Sequence, residues 1–280
     1  MAPPTYADLG KSARDLFSKG FNFGFHKLEV TTKTDSGVKF TTKGSHSKET
    51  DRISGELNTE YKYNEYGLTF KETWTTENKL STEVTIEDQL AKGFKLTFDT
   101  AFEPQTSKKS GQVKTGYKND YVNFTGDCDF NFAGPTINGA LVLGYNNWLA
   151  GYQMAFDTSK SKLTKNNFGL GYTAGDLAIN ANVNDLQEFQ SSIHNRVNSD
   201  LDLGIQMSWT QGTNATSLGL AAKYALDRNS AINAKVNNKG QLGLGYSQNI
   251  RPGVKLTLST LLDGLNAGGR KIGVGLEFNN

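Results

Sequence analysis

Apolar and polar side chains alternate along this chain in short bursts that restart roughly every 13 residues from His26 onward. In the run Phe94-Lys95-Leu96-Thr97-Phe98-Asp99, the even positions are large and apolar and the odd ones charged or small. Leu201, Leu203, Ile205, Met207 and Trp209 repeat the pattern around Asp202, Gln206 and Ser208, and Phe124, Cys128, Phe130 and Phe132 oppose Asn123, Asp127, Asp129 and Asn131. Successive strand residues point to opposite faces, so each burst predicts a strand with one greasy face and one wet face. Turn chemistry such as Asp35-Ser36-Gly37, Asn146-Asn147 and Arg251-Pro252-Gly253 separates the bursts. The reading gives nineteen strands, among them 25–33, 37–44, 92–102, 121–132, 165–173 and 270–278. The fold class is all-β.

The first 24 residues follow a different period. Pro3-Pro4 precede Thr5, a good N-cap, and Asp8 holds the acidic capping-box position. Tyr6, Leu9, Ala13 and Leu16 then fall on one helical face, with Asp8, Lys11, Ser12, Asp15 and Lys19 opposite. Gly20 is a helix stop, and Phe21-Asn22-Phe23-Gly24 reads as a hinge. A helix of roughly fifteen residues spans only about 22 Å, too short to cross a bilayer. Residues 1–24 are thus expected as an amphipathic helix with a glycine linker, and 25–280 as one β-domain.

Nineteen strands are too many for an ordinary sandwich, and an open sheet of that width leaves two unpaired edges. Closure removes both. Tilted strands about 4.8 Å apart close into a circle very roughly 35–40 Å across, a hole that side chains cannot fill. An apolar lining would face water, whereas an apolar exterior faces lipid, where a closed barrel satisfies every backbone hydrogen bond. The grease therefore points out. A hydrophobic content of 36% does not oppose this, because a membrane strand needs only about 9–11 residues with alternate ones apolar.

On this register the inward face carries fourteen basic residues, among them Lys43, Lys114, Lys235 and Lys255, against eleven acids such as Glu56, Asp99 and Asp127. Adding the helix makes it seventeen to thirteen, a lumen near +4 that predicts a weak anion preference. Glu72 shares parity with Leu68, Phe70 and Trp74, which places a carboxylate on the lipid side, where charge is expensive. Net charge is +2 without a basic block, which disfavours nucleic acid. One cysteine, Cys128, excludes an internal disulfide, and three scattered histidines offer no catalytic set, so no enzyme is expected. No metal site is expected either. The N-terminus has no apolar secretory core, so bacterial outer-membrane export is disfavoured. Sequons at Asn123 and Asn214 are read as chance.

These residues resemble the voltage-dependent anion channels, the porins of the mitochondrial outer membrane. The likeness runs through Pro-Pro-Thr-Tyr-Ala-Asp-Leu-Gly-Lys at 3–11, Tyr-Gly-Leu-Thr-Phe at 66–70 and Gly-Ala-Leu-Val-Leu-Gly-Tyr at 139–145. It continues in Leu-Ala-Gly-Tyr-Gln-Met at 149–154, Gly-Leu-Gly-Tyr at 243–246 and Leu-Leu-Asp-Gly at 261–264. The family is itself a known case of nineteen strands, and an odd number implies that the first and last pair in parallel. The resemblance implies a voltage-gated pore for adenine nucleotides, phosphate and organic anions, with the N-terminal helix inside the barrel and Arg14 and Asp15 part of the gate. It implies nucleotide binding at Lys11 and Lys19, and NAD binding at Gln241, Leu242, Gly243, Ser259, Thr260, Leu261, Leu262 and Asp263. ATP and NADH are then permeants or modulators, and no cofactor is required. It further implies a lipid-facing regulatory role for Glu72, homo-oligomers, and contacts with hexokinase and Bcl-2-family proteins. Lys271, Gly273, Leu276 and Phe278 match the terminal signal by which mitochondria insert barrels. The alternative reading is the mitochondrial protein-import barrel of the same fold.

Overall fold

A computed structural model describes residues 2–130, 134–213, 215–264 and 269–279. Asn131, Phe132 and the sequon residue Asn214 lie outside the described residues. The strands are β1 (Phe25–Lys33), β2 (Lys39–Ser47), β3 (Arg52–Tyr63), β4 (Leu68–Thr75), β5 (Leu80–Glu87), β6 (Phe94–Glu103) and β7 (Lys108–Lys118). They continue as β8 (Val122–Asp129), β9 (Thr136–Tyr145), β10 (Trp148–Asp157), β11 (Lys162–Ala174), β12 (Leu177–Asn184) and β13 (Glu188–Arg196). The last are β14 (Leu201–Thr210), β15 (Ala215–Ala225), β16 (Ser230–Asn237), β17 (Gln241–Arg251), β18 (Val254–Asp263) and β19 (Arg270–Asn279). Each pairs with its sequence neighbours, and β1 also pairs with β19, which closes one 19-stranded barrel. That closing pair is parallel, with His26 opposite Val274 and Val30 opposite Phe278; the other pairs are antiparallel. No helix among the described residues is long and apolar enough to cross a membrane.

Burial runs opposite to that of a water-soluble domain. The large apolar side chains are the exposed ones: Phe98 is 45% exposed, Leu170 59% and Leu203 42%. The few buried apolar residues, Leu9, Ala13, Leu16, Val142 and Ala155 among them, lie inside the barrel. An apolar surface that encircles the whole molecule is stable only against acyl chains.

Several boundaries differ from the sequence reading. The second strand runs three residues beyond 44, because Gly44 pairs with Gly55 and the Ser45 and Ser54 hydroxyls meet across the strands at 2.7 Å. The eleventh starts at Lys162 rather than 165, since a bulge opposite Ala155/Phe156 lets the chain keep pairing after its phase changes. Asn146 and Asn147 both adopt positive φ, 45° and 72°, which suits the two-residue hairpin predicted between β9 and β10.

The N-terminal helix is not continuous over 5–19. A 3₁₀ turn at Tyr6–Asp8 is followed by Gly10 at φ +69° and then by α1 (Lys11–Ser18). Thr5 does not cap the backbone: its hydroxyl donates to the Asp8 carboxylate at 2.8 Å. The capping-box expectation fails because Asp8 lies close enough to take that proton itself.

Candidate functional site

The N-terminal segment lies on the inner wall, and the wall sequence explains how it fits. At six points of close approach, the inward-facing wall residue is glycine. Pro3 covers Gly144, Tyr6 and Leu9 cover Gly151 and Gly169, Leu16 covers Gly204, Phe17 covers Gly219, and Phe23 covers Gly243. A Cβ on Gly151 would come within 2.8 Å of both Leu9 and Tyr6. The result is a glycine track in which Leu9 and Ala13 are only 2% and 1% exposed and Val142 is fully buried. Burying a leucine stabilises docking by about 1.5–3 kcal/mol.

Polar tethers fix the position along the track. The Asn123 amide donates to the Pro3 carbonyl at 2.9 Å, and the Asn22 N–H donates to Ser259 Oγ at 2.9 Å. Lys235 Nζ donates to the Phe17 carbonyl at 2.7 Å. The Arg14 guanidinium donates to the Leu9 and Ala7 carbonyls, tying the 3₁₀ turn back to α1. Gly273, part of the expected insertion signal, has a local reason as well: the Asn22 carbonyl lies where its Cβ would stand.

Lys11 and Lys19 point into lumen water, with side chains 58% and 72% exposed. Each has a carboxylate on its own helical face, Asp8 at 3.0 Å from Lys11 and Asp15 at 2.7 Å from Lys19. The Thr5 hydroxyl, and then Lys11, hold the Asp8 carboxyl below its ordinary value. Lys11 lines a cavity of about 300 Å³ with Asp176, Asn180, His194 and Arg196. Lys19 and Asp15 line one of about 550 Å³ with Arg196, Lys223, Arg228, Lys255, Asp202 and Asp227. Sequence reading did not assemble this wall of cations. Parity turns Lys223 and Lys255 inward, but only barrel closure sets them opposite the helix.

The expected dinucleotide run divides by face. Gln241, Gly243, Ser259, Leu261 and Asp263 pair with inward neighbours, whereas Leu242, Thr260 and Leu262 lie on the outer face. Those three cannot touch a ligand in the lumen, because neighbouring strand residues point oppositely. Gln241, Gly243 and Leu261 share a cavity of about 400 Å³ with Phe17, Phe23 and Lys235. Ser259 is already committed to Asn22.

Glu72 sits on the outer face, opposite Thr59 on one side and Thr82 on the other. The other outward charges in described strands, Lys109, Arg251 and Arg270, stand at or next to strand ends. On the inward face, the register adds Arg52, Lys108, Lys162 and Lys165 against Glu103, Glu188 and Asp263. The basic excess therefore persists. Ion pairs across the wall, such as Lys43–Glu56 at 3.2 Å and Lys114–Asp99 at 2.9 Å, are half solvated and contribute little stability each.

Residues 2–273 match the eukaryotic porin family. The chain is 58% identical to "Non-selective voltage-gated ion channel VDAC2" of Xenopus laevis, over 99% of both chains. It is 57% identical to the protein of that name from Homo sapiens, covering 99% of this chain and 95% of the relative. It is 55% identical to "Non-selective voltage-gated ion channel VDAC1" of Rattus norvegicus, over 99% and 98%. These relatives are channels, not enzymes, and none of their names describes a protein-import barrel. With a closed 19-stranded barrel, an apolar exterior and a charged lumen all present, this chain belongs to the eukaryotic porin family.

Proposed function

We propose that the chain is a voltage-responsive, weakly anion-preferring pore of the mitochondrial outer membrane, passing adenine nucleotides, phosphate and organic anions. The basic excess on the inward face carries this reading, together with Lys11 and Lys19, whose side chains stay exposed to the lumen although each is paired with a carboxylate of the N-terminal segment. A wide aqueous lumen biases permeation by its average charge and does not strip ions of water. Ammonium groups there suit polyphosphates, offering charge without a demanding pocket. ATP and NADH pass or linger as solutes. Glu72 is the proposed point of contact with lipids, with further copies of the chain, and with hexokinase or Bcl-2-family partners.

Planar-bilayer recording under a salt gradient tests the pore. A large conductance with a reversal potential of anionic sign is expected. Lys11→Gln with Lys19→Gln removes two charges from an inward excess near +5, so the anion preference should fall by roughly two fifths. A cation-selective wild-type channel would falsify the assignment. The N-terminal segment is the proposed gate, since it is the part of the lumen outside the sheet. Deleting residues 1–20 should flatten the voltage dependence of closure; a deletion variant that gates normally removes the segment from the mechanism.

A further inference from the structure

Lys235, on β16, is held unlike the other lumen cations. Lys43, Lys114 and Lys255 pair with carboxylates across strands, whereas Lys235 is held by a backbone carbonyl and two aromatic rings of the N-terminal segment. Its ammonium donates to the Phe17 carbonyl at 2.7 Å and lies 4.4 Å from the Phe21 ring centre and 5.1 Å from that of Phe23. The two rings pack on each other, 5.2 Å between centres. Three groups from one short stretch, 17–23, thus converge on a single charge.

Each contact has a physical cause. Phe17 lies in the last turn of α1, where carbonyls lack intrahelical donors and the helix end carries partial negative charge. A lysine is the favourable partner there. Aromatic faces attract an ammonium group, more so as water is excluded. Room for the arrangement comes from Gly243, which is paired with Lys235 in register. A Cβ on Gly243 would meet the Phe23 ring at 2.6 Å and the Lys235 stem at 3.0 Å.

We infer that Lys235 is a positioning residue that clamps the Phe21–Phe23 linker and the end of α1 onto the wall, and so sets the voltage at which the segment leaves it. The second half of that statement rests on the gating reading above; the clamp itself does not. Asn22 is the natural reporter, because its N–H is bonded to Ser259 and is protected while the linker stays seated.

The test uses the full-length protein in lipid nanodiscs and in planar bilayers. Lys235→Met keeps the stem but loses the charge and donor; it should speed exchange of the Asn22 amide by about tenfold. Lys235→Arg retains cation–π contact and donor, so it should stay near wild type. In a Phe21→Leu/Phe23→Leu background, Lys235→Met should add little, since the groups act as a unit. Unchanged Asn22 exchange in Lys235→Met, or independent addition of the two effects, would overturn the clamp. Closing voltage is read separately. Faster exchange with closure at lower voltage supports both halves of the inference. Faster exchange with unchanged closure supports the clamp and overturns its setting of the closing voltage, while the deletion of residues 1–20 tests separately whether the segment gates at all.

Discussion

Phe98→Arg is expected to destabilise the barrel in lipid by about 2–4 kcal/mol, because an arginine near the bilayer midplane must be desolvated or must drag water and headgroups inward. Phe98 lies in mid-strand on the outer face, opposite Val84 and Val113 and 45% exposed. Ser81→Arg is the matched control. Ser81 faces the lumen, opposite Thr73 and Ala101, where an added guanidinium stays hydrated. Its stability should change by less than about 0.5 kcal/mol, while the anion preference rises. Equilibrium unfolding from vesicles by denaturant reads both. Equal effects of the two substitutions would mean that the apolar face is not the lipid face.

Gly245→Ala should unseat the N-terminal segment. A Cβ there would stand 2.3 Å from the Gly20 carbonyl oxygen, and backbone, unlike a side-chain tip, cannot swing aside. Either the linker lifts or the β17 wall deforms, at a cost of about 1–3 kcal/mol for overpacking. Lifting is the cheaper response, since β17 is held by hydrogen bonds on both edges. Limited proteolysis within residues 1–24 should therefore become at least several-fold faster, with barrel unfolding unchanged. A variant as protease-resistant as wild type would mean that the wall, not the segment, had yielded.

The strands were legible in the sequence because one side of each must meet lipid and the other water, which forces a period of two on every segment. Glu72 stood out for the same reason: it is a carboxylate on the apolar parity of Phe70 and Trp74. The break in the helix was not legible. Gly10 reads as a mid-helix glycine until Ser192 and Asn180 are found pressed against it, and they lie far along the chain. The glycine track was hidden likewise, since only closure brings Asn22 to Ser259 and Pro3 to Asn123. Lys162 was missed as a lumen residue because the bulge in β11 shifts the phase that parity counting relies on, whereas Lys165 lies on the near side of the bulge and keeps the inward parity of Asn167 and Gly169. The dinucleotide run came from a contiguous family motif, whereas a β-wall shows a ligand only alternate residues. Leu242, Thr260 and Leu262 fell away on that ground.

The parallel joint between β1 and β19 has a consequence for how the molecule comes into being. His26 meets Val274 across nearly the whole length of the chain, so the final contact has about the largest loop-closure entropy the polypeptide offers. Until β19 is in place, the nascent sheet has two raw rims of unpaired amides, which hydrocarbon does not tolerate. Closure of that joint is therefore expected late, and the same contact that completes the sheet first separates water inside from oil outside.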